Sequence, residues 1–122
     1  MVLNLNVLPV KYWSIKTIMS YIQRRIIVYS IMYYELSESC ISDKDFDELS
    51  YQLVELMKST PKEICKETDY WYCMYDFDGS TGFDLPDRLT DSDRDYLTKI
   101  ARMVLKSWRY KNKNGKDKKI NT

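Results

Sequence analysis

The segment DFDGSTGFD, residues 76–84, carries the residue types in this chain that are most suited to chemistry. Asp76 and Asp78 flank a phenylalanine, and a glycine follows the second aspartate directly. Two nearby carboxylates can supply a nucleophile and a general acid–base, or they can bind a divalent cation. Asp-Gly is also a frequent turn sequence. The segment therefore has three interpretations: a catalytic nucleophile, a metal site or a turn.

The chain around this segment favours the turn. The segment is similar to the nucleophile loop of haloacid dehalogenase-class phosphatases, but that loop needs a parallel sheet with crossover helices. Only 44 residues follow Asp78, too few for such a sheet. A calcium loop of the EF-hand type needs glycine at its sixth position and glutamate at its twelfth. Counted from Asp76, glycine is fourth and Asp87 is twelfth, so we expect a tight turn without catalytic or metal-binding residues.

The composition removes several other classes of chemistry. The chain contains no histidine, which excludes mechanisms that pair serine or cysteine with a histidine base. Cys40, Cys65 and Cys73 are odd in number and lack C-x-x-C spacing, so neither a disulfide framework nor a structural zinc site is expected. No apolar run reaches the roughly 20 residues of a membrane span, and no secretory signal is recognisable. A cytoplasmic, non-enzymatic protein fits this composition best.

Charge is unevenly distributed along the chain although its formal net value is only +1. Residues 35–95 carry 17 carboxylates and six bases, whereas residues 96–122 carry nine bases and one carboxylate. The acidic part is suited to contact with a cationic partner surface, and the lysine-rich end is suited to contact with a nucleic acid backbone.

Two helices are predicted in the first half of the chain. From Ser14 to Leu36, apolar residues recur every three or four positions, as in a long amphipathic helix. Ser42 is a good N-cap for a second helix, and Asp43 and Asp45 favour the positive end of its dipole. Because a short loop joins the two helices, we expect an antiparallel hairpin. The apolar stripes are Ile15, Ile18, Met19, Ile22, Ile26, Tyr29, Tyr33 and Leu36 in the first helix, and Phe46, Leu49, Leu53, Leu56 and Met57 in the second.

Shorter elements are predicted after the hairpin. Thr60 as N-cap, Pro61 at the first helical position and Glu63 in a capping box predict one or two helical turns. The aromatic segment DYWYCMYDF, residues 69–77, predicts a β-strand. An isolated strand has no hydrogen-bonding partner, so a second short strand is expected near residues 81–85.

The end of the chain predicts one more helix and completes the expected architecture. LPDRL, residues 85–89, predicts a single helical turn, and Thr90 caps a last helix. The predicted fold class is mainly α (α+β), with an antiparallel helical hairpin, a short β element and a C-terminal helix. We expect an irregular extension over 1–13, one domain over 14–110 and a basic, disordered tail over 111–122. The stripe of the last helix is Tyr96, Leu97, Ile100, Val104, Leu105 and Trp108.

The hairpin sequence VYSIMYYELSESCISDKDFDEL, residues 28–49, resembles the N-terminal helical domain (Ia) of bacterial NAD-dependent DNA ligases. The family pattern is a Tyr-Tyr or Tyr-His pair, a variable stretch and then Ser/Pro-Asp-x-x-Tyr-Asp-x-Leu. The continuation SYQLVELMKSTP is also similar to the second helix of that domain, and the resemblance covers roughly a third of the chain. The matching residues are Tyr33, Tyr34, Ser42, Asp43, Phe46, Asp47 and Leu49.

The resemblance implies a binding site for nicotinamide mononucleotide or NAD. In those ligases the domain closes over the nicotinamide half of NAD, and the first tyrosine of the pair stacks on the ring. The implied contacts here are Tyr33, Tyr34, Asp43, Phe46 and Asp47, although Phe46 replaces the family tyrosine and lacks its hydroxyl. The ligase nucleophile is the lysine of a Lys-x-Asp-Gly motif. That motif is missing from this sequence, so ligase activity is not implied.

Small proteins with such a hairpin and a YDFDGSTGFDL-like continuation resemble accessory proteins of phages and mobile elements of Gram-positive bacteria. The first functional hypothesis is therefore binding to a host or phage protein, as an inhibitor of a host defence system such as CRISPR. The acidic residues would imitate the phosphates of nucleic acid bound by a defence nuclease. The partner-binding candidates are Trp71, Tyr75, Asp76, Asp78, Asp84 and Asp87.

Two further hypotheses remain open. A non-catalytic module could bind a nicotinamide nucleotide through the hairpin, which would be the one small-molecule ligand; no other cofactor is expected. Alternatively, the lysine-rich tail over 111–122 could bind DNA directly.

Overall fold

A computed structural model describes residues 14–80 and 82–121, with side chains as far as residue 112. Within this part of the chain there are six helices and no strand, so the predicted mainly-α class is confirmed. The helices are α1 (Ile15–Tyr34), α2 (Asp43–Ser59), α3 (Lys62–Cys65), α4 (Trp71–Met74), α5 (Leu85–Arg88) and α6 (Asp91–Asn121).

Helix α1 is the centre of the fold because it is apolar around most of its circumference. It packs against α2, α3, α5 and α6. Ile27, Ile31 and Met32 lie outside the single stripe that the sequence predicts, and they are fully buried as well. The helix is thus surrounded rather than half exposed. Its partners in the core include Leu49 and Leu53 of α2, and Leu97, Ala101 and Leu105 of α6.

Hydroxyl caps begin the three long helices, as predicted for the second and the last of them. The side-chain oxygens of Ser14, Ser42 and Thr90 each accept a hydrogen bond from the backbone N–H three residues later, at 3.1, 3.1 and 3.2 Å. Each cap satisfies one of the backbone donors that the first helical turn leaves without a partner, which stabilises a helix by about 1 kcal/mol. The cap at Ser42 fixes where α2 begins, and thereby places the acidic residues of its first turns.

The first two helices pack in opposite directions. The C-terminal end of α1 lies beside the N-terminal end of α2, and the N-terminal end of α1 lies beside the C-terminal end of α2. The connecting loop turns at Ser37, whose φ of 55° is in the left-handed region. Just after it, the backbone N–H of Glu38 donates to the carbonyl of Met32 at 2.9 Å. The two helices therefore run antiparallel, and the likeness of this hairpin to the ligase Ia domain stays a prediction.

The strand predicted over residues 69–77 is wrong, because helix α4 occupies its centre. The backbone N–H of Asp69 donates to Ser20 Oγ, and that of Tyr70 donates to Gln23 Oε1, both at 3.1 Å. These donors are satisfied by side chains of α1 instead of by a neighbouring strand. Aromatic residues favour strands only where a sheet offers them packing, and here the core around α1 offers it instead.

Two further local predictions need correction. Helix α3 begins at Lys62 with Pro61 as its N-cap and has no side-chain cap, so the capping box from Thr60 to Glu63 does not form. The second predicted strand, near 81–85, is also not found. Gly82 and the two residues after it lead through a turn into α5, and Thr81 lies outside the described residues. The single helical turn predicted at LPDRL is confirmed as α5.

The two ends of the chain are described to different extents. The predicted extension over 1–13 lies outside the described residues. The backbone of α6 continues as helix to Asn121, and the division into a domain over 14–110 and a tail over 111–122 stays a prediction. No helix in the described part of the chain combines the length and the apolarity required to cross a lipid bilayer.

Candidate functional site

A pocket lies where the end of α1 meets the start of α2, and we call it the hairpin pocket. Its cavity volume is about 270 Å³, close to the lower end of the range for small-molecule sites. All five residues that the ligase resemblance implies as nucleotide contacts contribute to its lining. The lining consists of Tyr29, Ser30, Tyr33, Tyr34, Ser39, Ile41, Asp43, Phe46, Asp47 and Ser80.

Aromatic rings form one side of the hairpin pocket. Tyr33 and Tyr34 are 56% and 46% exposed, although both belong to the central helix. Their ring centroids are 4.8 Å apart in an edge-to-face arrangement, and the ring of Tyr34 lies 6.3 Å from that of Phe83. Exposed rings that are positioned by other rings present faces on which a flat ligand can stack.

The other side of the hairpin pocket is the start of α2. Asp43 lies in the first turn, where the helix dipole favours a negative charge, and Asp47 follows one turn later. Both carboxylates are exposed, and both line the pocket. Phe46 lies between them, half-buried against the core, as the apolar stripe predicted. Two carboxylates that face aromatic rings favour a ligand that is both flat and cationic.

The back wall of the hairpin pocket contains a tyrosine that a cation holds in place. Arg25 donates from Nη2 to the Tyr29 hydroxyl at 2.6 Å and from Nη1 to the Tyr21 hydroxyl at 3.4 Å. Its guanidinium also lies over both rings, at 5.4 and 5.6 Å from their centroids. These contacts orient Tyr29, and none of them was anticipated from the sequence.

Gly79, Ser80 and Gly82, which come later in the chain, lie against the hairpin, and Ser80 lines the hairpin pocket. Gly79 adopts a φ of 86° and lies against the second helix, near Val54. Gly82 is buried against Ser30 of α1, where an added Cβ would overlap the serine hydroxyl. The two glycines let the backbone approach the hairpin closely and bring Ser80 into the lining. In the sequence, the two closely spaced glycines indicate a close approach of the backbone to another surface. The sequence does not indicate that this surface is the hairpin.

The predicted turn in DFDGSTGFD is confirmed over residues 78–80. Asp78 Oδ1 accepts hydrogen bonds from the backbone N–H of Ser80 at 2.9 Å and from its hydroxyl at 2.6 Å. The bonds from Ser80 lower the pKa of the Asp78 carboxyl below its ordinary value. This carboxylate therefore stabilises its own turn.

Arg88 neutralises part of the group of aspartates that we call the acidic loop (Asp76, Asp78, Asp84 and Asp87). It contacts Asp76 at 2.5 Å and Asp84 at 2.9 Å, and it also donates to the backbone carbonyl of Cys73. The hydrogen bond from Arg88 lowers the pKa of Asp76. Asp76, Asp78 and Asp84 thus surround one shallow concavity of about 210 Å³ that also contains a cation.

The remaining partner-binding candidates are not gathered in that concavity. Asp87 pairs with Arg94 at 3.3 Å, and Trp71 is half-buried at the edge of the core. Tyr75 is exposed, with the Arg88 guanidinium 6.0 Å from its ring centroid. Of the six candidates, the structure thus brings together Asp76, Asp78 and Asp84. Three of the four aspartates, all except Asp78, form ion pairs with arginines.

Two arginines of α6 hold the loop between the first two helices. Arg94 forms a two-point contact with the carboxylate of Glu35, at 2.7 and 2.8 Å. Arg94 makes both contacts from its Nη2, whereas Arg109 donates from two nitrogens to Glu38, with its Nε 2.9 Å from Oε2 and its Nη2 bonded to Oε1. Both glutamates flank the turn at Ser37, so α6 anchors this loop from two sides.

A second concavity, the α1–α2 groove, extends along the hairpin from Asp47, which also lines the hairpin pocket, to the N-terminal end of α1. Its volume is about 860 Å³, and its exposed apolar surface includes Ile15 and Tyr51. Its charged residues are all carboxylates, and no lysine or arginine lines it among the described residues. The lining consists of Ile15, Ile18, Ile22, Asp47, Glu48, Tyr51, Gln52, Val54, Glu55, Leu56, Ser59, Asp78 and Gly79.

The cysteines have the properties of structural residues. All three are free thiols, with Cys65 and Cys73 buried and Cys40 partly buried. Burial raises the pKa of the Cys73 thiol to about 12 and also raises that of Cys40, so neither has the lowered pKa of a nucleophilic cysteine. The described residues contain no group of three or more His, Cys, Asp or Glu side chains arranged to hold a metal ion.

Comparison with known proteins identifies no relative. No protein-family model, no curated protein and no solved structure matches the chain.

Proposed function

We propose that this protein binds a nicotinamide nucleotide, without catalysis, in the hairpin pocket. The supporting observation is that Tyr33, Tyr34, Asp43, Phe46 and Asp47 line one cavity. These are the residues that the resemblance to the ligase Ia domain implies as contacts. They come from two helices and meet because the hairpin is antiparallel.

The chemistry of the lining suits this ligand. The nicotinamide ring of an oxidised nucleotide is flat and carries a positive charge. Tyr33 offers an exposed ring for stacking, and attraction between a cation and an aromatic face contributes about 0.5–2 kcal/mol, depending on desolvation. Asp43 and Asp47 add an electrostatic attraction and can accept hydrogen bonds from ribose hydroxyls.

Nicotinamide mononucleotide is expected to raise the melting temperature of the protein, and Tyr33→Ala is expected to remove most of that increase. Loss of the stacking face should weaken binding by about 1–2 kcal/mol, roughly five- to thirtyfold in Kd. Differential scanning fluorimetry at millimolar ligand and isothermal titration calorimetry would measure both effects, since a ligand stabilises the state it binds.

Two controls make this experiment specific. Tyr75→Ala removes a ring that is equally exposed, at 56%, but lies outside the hairpin pocket, and binding should be unchanged. Adenosine monophosphate has a ribose and a phosphate but no nicotinamide, and it should give no shift. A chain that shows neither a thermal shift nor a heat of binding with the mononucleotide or NAD would contradict the proposal.

Protein binding through the α1–α2 groove is a second candidate function. The favouring observation is an apolar surface bordered by carboxylates, including Asp47, Glu55 and Asp78. An amphipathic helix with apolar residues on one face and lysines or arginines beside them fits this surface in shape and charge. Inhibition of a defence nuclease through phosphate mimicry by the acidic loop stays a prediction, and Arg88 and Arg94 weaken it by pairing those aspartates.

A synthetic helix of leucines and lysines is expected to bind the groove, whereas one in which glutamates replace the lysines is not. Fluorescence anisotropy with labelled peptides measures this difference. Glu55→Lys should weaken binding of the cationic peptide at least about fivefold, because it places a like charge at the groove. Glu63→Lys is the control, since Glu63 is exposed on α3 and lies outside the groove. Equal binding of both peptides would count against the groove as a specific site.

A further inference from the structure

The hairpin pocket contains negative charge without a compensating cation. Asp43 and Asp47 are the charged residues of its lining, which includes no lysine or arginine in the described part of the chain. Proteins hold phosphate groups with lysine or arginine side chains, or with free backbone N–H groups at a helix N-terminus. The pocket therefore lacks the cations that a phosphate site uses. The remaining groups that could bind a phosphate are the backbone N–H groups at the N-terminus of α2.

That helix terminus is already compensated. At the start of α2, Ser42 Oγ accepts the hydrogen bond of the Asp45 N–H, and Asp43 and Asp45 place two negative charges in the first turn. A phosphate here would meet these carboxylates before it met a backbone donor. Lys44, the base of this turn, is exposed and does not line the pocket.

The guanidinium of Arg25, which lies next to the pocket residue Tyr29, is already hydrogen-bonded to tyrosine hydroxyls. Arg25 is hydrogen-bonded to the hydroxyls of Tyr29 and Tyr21, and it packs over both of their rings. Tyr29 lines the pocket, while Arg25 does not. The guanidinium therefore contributes no positive charge to the pocket lining itself.

The two forms of the ligand differ in net charge. Nicotinamide riboside carries the cationic ring alone, with a charge of +1, whereas the 5′-phosphate of the mononucleotide adds about −1.5 to −2 at neutral pH. The riboside is thus attracted by Asp43 and Asp47, and the mononucleotide is repelled through its phosphate. We infer that the hairpin pocket recognises the nucleoside and not the phosphate, so that nicotinamide riboside is its preferred ligand. This inference rests on the proposed function, because it concerns the same pocket.

Calorimetry with the full chain tests the preference through its dependence on salt. At about 0.01 M ionic strength, where charges interact over roughly 30 Å, we expect the riboside to bind at least about threefold more tightly than the mononucleotide. At about 0.15 M that range falls to roughly 8 Å. The riboside should then bind more weakly and the mononucleotide more tightly, so the two Kd values should converge.

Two isosteric variants in the same helical turn separate recognition from helix stability. Asp43→Asn removes a negative charge from the pocket. It should weaken binding of the riboside and tighten binding of the mononucleotide, with each Kd changing by about two- to fivefold. Asp45→Asn removes a charge from the same turn outside the pocket lining, and at about 0.15 M ionic strength, where charges interact over roughly 8 Å, it should change each affinity less than Asp43→Asn does. Circular dichroism melts test whether both variants are folded. A purely structural effect of Asp43→Asn would change the affinities for both ligands in the same direction.

The outcomes separate the inference from the proposed function. Mononucleotide binding that equals or exceeds riboside binding at low salt overturns the inference and leaves nucleotide binding in place. The inference is also overturned if Asp43→Asn weakens binding of the riboside and of the mononucleotide equally. Binding of neither ligand at millimolar concentration overturns the proposed function and the inference together.

Discussion

Gln23→Leu is expected to lower the free energy of unfolding by about 2–4 kcal/mol, although leucine is apolar and similar in size. Gln23 is fully buried, and its amide bonds to two groups outside its own helix. Its Nε2 donates to Thr68 Oγ1 at 2.9 Å, and its Oε1 accepts the N–H of Tyr70 at 3.1 Å. Leucine would leave that N–H without a partner in the core, and a buried unsatisfied donor costs about 1–3 kcal/mol.

Urea denaturation followed by circular dichroism measures this loss. Lys16→Leu is a matched control, because it places the same side chain on an exposed position of the same helix, where a change within about 0.5 kcal/mol is expected. A Gln23→Leu loss below about 1 kcal/mol would mean that these two hydrogen bonds do not hold the segment around α4 against α1.

Gly82→Ala should destabilise the protein by about 1–3 kcal/mol through overpacking. Gly82 is buried, and a Cβ there would overlap Ser30 Oγ and lie 3.3 Å from Leu85 Cδ1. Ser30 Oγ is itself fixed by a 2.9 Å hydrogen bond to the carbonyl of Ile26. The serine can avoid the new methyl group only by giving up that bond, so either response costs free energy.

A double-mutant cycle separates overlap from a general effect of alanine. Ser30→Ala removes the overlapping hydroxyl and should recover about 1 kcal/mol or more of the Gly82→Ala loss. Gly79→Ala serves as a comparison, because its new Cβ has ordinary contacts but its φ of 86° strains any side chain. Ser30→Ala should not rescue Gly79→Ala, and equal rescue of both variants would refute the overlap at Gly82.

The long helices could be derived from the sequence because periodicity and caps are local signals. Ser14, Ser42 and Thr90 each cap the helix that the pattern predicts. The limits of α1 also follow the pattern closely, since the helix ends at Tyr34 and the pattern at Leu36. Such signals operate within a few residues and do not depend on the rest of the fold.

The segment around α4 could not be derived in this way. Its aromatic composition favours a strand, but Ser20 and Gln23, about 50 residues earlier, provide the hydrogen-bond partners that a strand would have needed. Ser20 and Gln23 are polar residues of α1 that are buried, and the sequence gives no indication of what they bind. Only the tertiary arrangement relates the two segments.

The candidate site was predictable in part. The resemblance to the ligase Ia domain implied the tyrosine pair and the aspartates of α2, and these residues line one pocket of the structure. The position of Ser80 in the pocket lining depends on long-range packing, and the hydrogen bond from Arg25 that orients Tyr29 could not be anticipated from the sequence. The pairing of the acidic loop with Arg88 and Arg94 likewise changes its electrostatics in a way that residue counts do not reveal.

The contacts of α6 with the interhelical loop have a consequence for the entropy of binding. Arg94 and Arg109 hold Glu35 and Glu38 on either side of the turn that closes one end of the hairpin pocket. Ordering a loop at the moment of binding costs affinity, whereas a loop ordered in advance does not. Helix α6 contributes no described residue to the pocket lining, but it holds one end of the pocket in advance, so a ligand that bound there would order less of the loop on binding.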